Sequence, residues 1–541
     1  MTVLLTLLPA LCLLGGALLY LVPLGFISRY RTWLPVLANM LAAAAVVYLA
    51  RGGGEPTALV EPSAILPGLT LALQWSGAAL PFGLVLLLFT SARLLMGAEE
   101  DSPAFVVGTL VVNGGALLFL AADNWTTLAA AWILVELGLL VVPVDDSGDH
   151  TRAVTAFGWN LAGVVLWLSA GLMLSNQGQS LRLQDAALAE LPALLVMLAI
   201  WIRSGLYPLH AATASDVPGA AVRLGIPMLL GGYLLTRFLT ASQGAMAFSS
   251  ELQIMAVFAV GISALLVVGQ PHGADAFIWL ARAFGANLLL LPFLGNAQTA
   301  AALSVWLTLS VFALCVIQSI AWSWRAQLPR VPLPALVWLV VLVLVAGLPL
   351  APAFWGRVGL LSVGYMRGLV WWLLLTAGAA LSLIPVWREI FASREVAPKA
   401  PSRFEYAALA VVVLTVLGMA LASDFFMQPF GPAVRTSAQA PLNELFKPSN
   451  STVLIFVAAG LLVPPLFAFE LARRWAQRAS LLPAQFTTLA DLSGLAHALD
   501  FVYRLVRALV QQSMAVLEQP PIAWLIFLGI WVAVWASGLG R

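Results

Sequence analysis

The sequence predicts an all-α polytopic membrane protein, with about sixteen transmembrane helices, two inverted repeats containing discontinuous helices, and one amphipathic surface helix. Composition is the first reason. Hydrophobic residues make up 62% of the 541-residue chain and charged residues only 9%, where a soluble domain carries about 25% charged residues. Recurrent apolar runs long enough to cross a bilayer are the second. The third is that glycine and proline break two of these runs beside an arginine, at Arg203-Ser-Gly-Leu-Tyr-Pro208 and at Gly347-Leu-Pro349-Leu-Ala-Pro352 with Arg357 beyond. Irregular backbone at membrane depth is tolerated only where protein or a polar cavity receives it.

The runs lie near 3–26, 32–50, 68–96, 103–122, 124–143, 153–175 and 186–206, then near 217–241, 252–269, 274–293, 300–324, 332–362 and 367–391. Three more follow near 404–422, 452–473 and 521–539. The first contains no Lys or Arg before Arg29, so it lacks the positive start of a cleaved signal and reads as a retained span. No linker is long enough to set off a soluble domain. We divide the membrane domain into N-terminal helices at 1–100, a core with inverted repeats at 101–400, and C-terminal helices at 401–541. The repeats would be carried by 103–241 and 252–391, each with a broken span and a nearby cation.

Loops after odd-numbered spans hold most of the arginines, among them Arg29, Arg31, Arg152, Arg325, Arg388 and Arg473. Positive loops stay cytoplasmic, which places the N-terminus outside. The expected home is a bacterial inner membrane. The net charge of +2 argues against nucleic acid as a partner. Cys12 and Cys315 both sit in apolar runs and read as packed thiols. No phosphate loop, nucleophile elbow or paired-histidine metal motif is visible, so no cofactor and no catalytic redox site are expected. Asp145-Asp146-Ser-Gly-Asp149-His150 has the makings of a metal cluster, but its turn residues directly after a span favour a solvated loop.

The ionisable residues inside the runs are the candidate site. Glu136, in Trp132-Ile-Leu-Val-Glu-Leu-Gly-Leu-Leu, has at least three apolar residues on either side. It is either a proton-binding group or half of a buried ion pair. Arg203 ends the Leu191–Ile202 run and is either part of a polar site at mid-depth or an arginine snorkelling to the interface. Arg223 and Arg282 are similarly lodged, and each could instead pair structurally with helix-end carbonyls or a carboxylate.

Several of these segments resemble one family. Arg203-Ser-Gly-Leu-Tyr-Pro-Leu-His210 is similar to the Lys-Ser-Ala-Gln-x-Pro-Leu-His segment of the antiporter-like membrane subunits of respiratory complex I, membrane-bound hydrogenases and multisubunit Na⁺/H⁺ antiporters. Asp275–Leu288 resembles that family's Asp-x-Lys-Arg-x-Leu-Ala-Tyr-Ser segment, and Ala346–Arg357 its Ala-Gly-x-Pro-Pro-x-x-Gly-Phe-x-x-Lys. The Trp132–Leu140 helix resembles the one bearing the conserved glutamate, and Gln74-Trp-Ser-Gly77 an early Asp-Gly turn. Order and spacing match over roughly 60–400. The resemblance implies a proton- or monovalent-cation-translocating subunit with a mid-membrane polar axis of Glu136, Arg203, His210, Arg223, Arg282 and Arg357, embedded in lipid among other membrane subunits. The position of Arg223 against the family's His or Lys depends on a one-residue gap.

Departures are as informative. Both broken-helix lysines of the family are arginine here, and its Lys-Arg pair after Asp275 is Phe277-Ile278. Arginine does not release its proton in proteins, so a relay through those side chains is not expected. Three readings follow: a translocating subunit, a non-conducting scaffold, and the membrane part of an inorganic-carbon uptake system, a class that also uses such subunits.

Residues 486–517 place Leu489, Leu492, Leu495, Leu499, Val502, Val506 and Leu509 on one helical face. This stretch is too polar to span and reads as a surface helix, seated on the membrane, on a neighbour or on its own chain. If it braces a neighbouring subunit, deleting 486–517 loosens the complex on native gels while earlier spans still insert. Normal assembly of the truncated chain would leave it as local packing.

Overall fold

The computed structural model describes residues 2–22, 33–51, 57–60, 71–97, 101–142, 150–177, 182–183, 190–213, 219–241, 250–270, 273–294, 296–323, 332–349, 351–391, 402–430, 434 and 451–475. The chain forms two compact units, Met1–Pro483 and Ala484–Arg541, and every described residue lies in the first. The expected surface helix at 486–517 and the last span at 521–539 therefore lie outside the described residues, as do Asp145, Asp146 and Asp149.

Two helices, α1 (Thr2–Leu21) and α2 (Leu34–Arg51), precede a short antiparallel hairpin of β1 (Thr57–Val60) and β2 (Leu71–Leu73). Then come α3 (Ala79–Met96), α4 (Pro103–Leu120), α5 (Trp125–Val141), α6 (His150–Asn176) and α7 (Glu190–Ser204). A 3-10 turn (His210–Ala212) and a π turn (Ala221–Gly225) lead into α8 (Ile226–Ala241). The second half runs α9 (Ser250–Gly269), α10 (Gly273–Leu294), α11 (Ala297–Ser323), α12 (Pro332–Ala346), α13 (Pro352–Arg367) and α14 (Leu369–Phe391). α15 (Arg403–Leu421), the single-turn α16 (Ser423–Met427) and α17 (Ser451–Trp475) close the described part.

Eleven of the described helices are long and apolar enough to cross a bilayer, and four shorter apolar ones lie at 34–50, 125–141, 191–204 and 337–346. The chain is an integral membrane protein. Two expected spans need correction. Among its described residues the run at 68–96 is helical only from Ala79, because Leu71–Leu73 pairs with β1 and with the Ala122 backbone, and Gln74–Gly77 turns the chain. The run at 332–362 is two helices, α12 and α13, and the second continues to Arg367.

The shaft of the fold is α11. Its sequence is apolar nearly all round, broken only by small hydroxyl residues and by Gln298 and Gln318, and a helix of that kind must be enclosed. Ala300–Ala321 is buried throughout. Ser304 on α11 shares a 2.6 Å hydrogen bond with Thr236 on α8. At the rim the pattern reverses: Leu462, Val463, Leu466 and Phe467 of α17 are exposed, a surface that suits lipid and not water. Among the N-terminal helices, Asn113 donates to Thr90 at 2.9 Å and to Asn39 at 3.2 Å, tying α4, α3 and α2 through fully buried amides. The α3–α4 connection is clamped by a two-pronged Arg93–Asp101 pair at 2.8 and 3.0 Å.

Both helix breaks begin at a glycine in the left-handed region, Gly205 (φ 58°) after α7 and Gly347 (φ 66°) after α12. An L side chain is strained there. Each glycine is also roofed by a neighbour. A Cβ on Gly205 would meet Thr213 Cγ2 at 2.2 Å, and one on Gly347 would meet Arg357 Cδ at 2.6 Å. The Arg357 stem thus lies directly on the break that precedes its helix. Gly347→Ala should lower the midpoint of thermal unfolding in detergent, at a cost of about 1–3 kcal/mol. Gly158→Ala is the control, because nothing lies within 4 Å of its Cβ position; it should be neutral or slightly stabilising.

Candidate functional site: a buried ion pair at the first helix break

Helix α5 is started by Asn124, whose side chain accepts the Thr127 N–H at 2.9 Å, and is braced by Trp125 stacked on Trp167 at 3.9 Å. About three turns along, α5 presents Trp132 and Glu136 together, four residues apart and so on one face. Arg203, in the last turn of α7, meets that face. It donates to the Glu136 carboxylate and forms an ion pair with it. Both side chains are buried, Glu136 at 3% exposure and Arg203 at 0%. The guanidinium also lies 5.3 Å from the Trp132 ring centroid and 5.7 Å from that of Phe119. Trp132 is itself held by Asn160 Oδ1 on α6 at 3.3 Å.

Glu136 thus forms a buried ion pair, and Arg203 points into the protein. Its location follows from the break. Ser204 closes α7 by donating to Ile200 O at 2.8 Å, Gly205 turns the chain, and Trp201 Nε1 holds Tyr207 O at 2.7 Å. The end of α7 therefore stays fixed beside α5.

Glu136 and Arg223 line the same small cavity, with Thr213, Ala153, Ala156 and Phe157 on its other walls. Arg223 is buried on the π turn. Such a turn adds one residue to an α-helical register. Thr213 links this cavity to Arg282 on α10. The Arg282 guanidinium donates to His210 O and Thr213 O, both at 3.2 Å, and to Thr213 Oγ1 at 3.3 Å, and it lies 4.9 Å from the Trp279 ring. Arg282 thereby braces the carbonyls of the broken segment, the structural alternative left open for it. The His210 ring sits between Tyr207 and Trp279, 5.9 and 4.9 Å between centroids.

Arg357 is separate from this cluster. It is buried on α13 and lines a second small cavity with Asn287 of α10 and Ser382 of α14. Of the six expected site residues, the structure joins Glu136 to Arg203 directly, joins Glu136 to Arg223 through one cavity, and attaches Arg282 to the His210–Thr213 backbone. Trp132, Thr213, Asn287 and Ser382 are additions. Only Trp132 carried a sequence signal, its i,i+4 spacing to Glu136. Among the described residues no group of three or more His, Cys, Asp or Glu is placed to hold a metal ion.

No protein-family model and no curated protein matches the sequence. Solved structures do. The chain is similar to a chain of the Mrp complex from Dietzia sp. DQ12-45-1b, with a TM-score of 0.75 and 16% identity, covering 99% of this chain and 63% of that one. It therefore spans somewhat less than two thirds of that relative's length. It is similar to a chain of respiratory complex I from Thermus thermophilus with bound NADH (TM-score 0.64, 19% identity, 80% of this chain and 99% of that one). A third likeness is to a chain of the membrane-bound sulfane sulfur reductase, an archaeal respiratory membrane complex (TM-score 0.65, 15% identity, 98% and 99%). The fold is that of membrane subunits in Mrp-type and respiratory complexes, the group that the sequence motifs resemble.

Breaking a buried pair from one side leaves a bare charge and typically costs about 3–5 kcal/mol, whereas replacing both partners with apolar residues is often neutral. Arg203→Ala and Glu136→Leu should each destabilise the protein strongly, and Glu136→Leu combined with Arg203→Met should recover most of the loss. Unfolding midpoints of the three variants in one detergent measure this. Additive losses would mean that the two residues are not energetically coupled.

Proposed function

We propose that this chain is an ion-translocating membrane subunit of a multisubunit redox-driven or antiport assembly, moving protons or monovalent cations along a polar axis inside the bilayer. The observation that carries the reading is the Glu136–Arg203 pair at a helix break, facing a cavity shared with Arg223. A carboxylate enclosed this way is expensive to keep, and intramembrane acids of this kind mark ion pathways. Glu136 is the group that takes and releases the ion. Arg203 serves as a fixed charge that sets the potential around it, because arginine holds its proton where the family's lysine need not, and Arg357 is a fixed charge at the second break. Arg282 keeps the 210–213 segment in place.

The fold likeness to chains of the Mrp complex, complex I and the sulfane sulfur reductase supports other membrane subunits as partners. The inverted-repeat reading is supported by the parallel order of 103–241 and 250–391, each with its break at a left-handed glycine followed or preceded by a buried arginine. By the loop arginines, the N-terminus lies outside a bacterial inner membrane. A scaffold that keeps the fold without conducting is the second reading, and both lysine-to-arginine departures favour it.

Flux separates the two. In vesicles holding the whole assembly, Glu136→Gln should strongly reduce ions moved per turnover while the subunit remains inserted. Arg203→Lys should retain flux but give it a new dependence on alkaline pH, because lysine can lose its charge as pH rises. Native flux in Glu136→Gln would remove the central residue of the translocating reading and leave the scaffold.

A further inference from the structure

We propose that the cavity beside Arg357 is a binding site for one small monovalent anion of about chloride size. The charge balance of the buried arginines leads there. Arg203 has Glu136, and Arg282 has three oxygens of the 210–213 segment. Arg357 is 4% exposed, its Nε and Nη2 have no hydrogen-bond partner, and no carboxylate pairs with it among the described residues. A guanidinium does not neutralise itself by losing its proton. Left bare in an apolar interior, such an ion carries an effective penalty of several kcal/mol.

The surroundings define what can supply the missing charge. The cavity is lined by Arg357, Asn287, Ser382, Phe284, Val260 and Val345, among other small apolar residues. It has room for about one water-sized particle, so phosphate, sulfate and organic carboxylates are too large. Its polar neighbours are not competing donors. The Asn287 amide N–H groups are spent on Phe284 O and Ala283 O at 2.9 and 3.3 Å, and the Ser382 hydroxyl on Gly378 O at 2.7 Å. The guanidinium is thus the chief donor facing the space. Water would satisfy its hydrogen bonds and leave its charge, whereas a halide satisfies both. Arg357 stands in the second turn of α13. Its stem lies against Gly347. The site does not depend on ion flux through Glu136.

The test uses the purified full chain in lipid nanodiscs. Thermal unfolding is followed in chloride and in gluconate at equal ionic strength, gluconate being too large for the cavity. The expected result is a higher Tm in chloride that rises with concentration to saturation, as binding to the folded state alone requires. Arg357→Gln should abolish the chloride increment. Equal midpoints in the two salts, or an increment that survives in Arg357→Gln, would overturn the assignment. Should that variant not fold, native crystals grown in bromide decide. An anomalous peak beside the Arg357 guanidinium supports the site, and an empty cavity rejects it.

Discussion

The arrangement of the first half depends on the cost of keeping Glu136 and Arg203 away from water. Neither charge is stable alone at that depth, so α5 and the end of α7 must meet, and whatever holds those ends is part of the site. The Asn124 cap and the Trp125–Trp167 stack fix the start of α5, and Gly205 stops α7 where its arginine reaches the carboxylate. The aromatic walls from Trp132 and Phe119 supply the contact that a second hydrogen bond would otherwise give. Packing, helix termination and electrostatics here answer one requirement.

Much of this was legible in the sequence because charge in an apolar run is conspicuous. Glu136, Arg203, Arg223, Arg282 and Arg357 were visible for that reason, and both breaks were visible from glycine and proline. The rest was hidden for physical reasons. Leu71–Leu73 is as apolar as the helix that follows, and only its partners, β1 and the Ala122 backbone, make it a strand. The partners of Arg282 are mainly carbonyls, which every residue has. Thr213, Asn287 and Ser382 are ordinary neutral residues whose place beside a cavity arises only in three dimensions. The π turn that carries Arg223 leaves no mark in the sequence, because its residues are ordinary helix formers.

The likeness of the fold and the unlikeness of the residues are separate facts. At 15–19% identity the chain shares the fold of chains from an Mrp complex and two respiratory complexes. Its buried cations, however, are all arginine among the described residues of the site. An arginine cluster in this scaffold is electrostatically rigid: it shapes a potential but does not pass a proton on.

Helix α10 has a consequence of its own. Arg282 reaches the 210–213 segment of the first break, while Ala283, Phe284 and Asn287 wall the cavity of the second. Five residues separate Arg282 from Asn287, about 7.5 Å of rise and about 140° around the axis. One stiff turn and a half of α10 therefore borders both places, holding the backbone beyond the first break with one side chain and walling the Arg357 cavity with others.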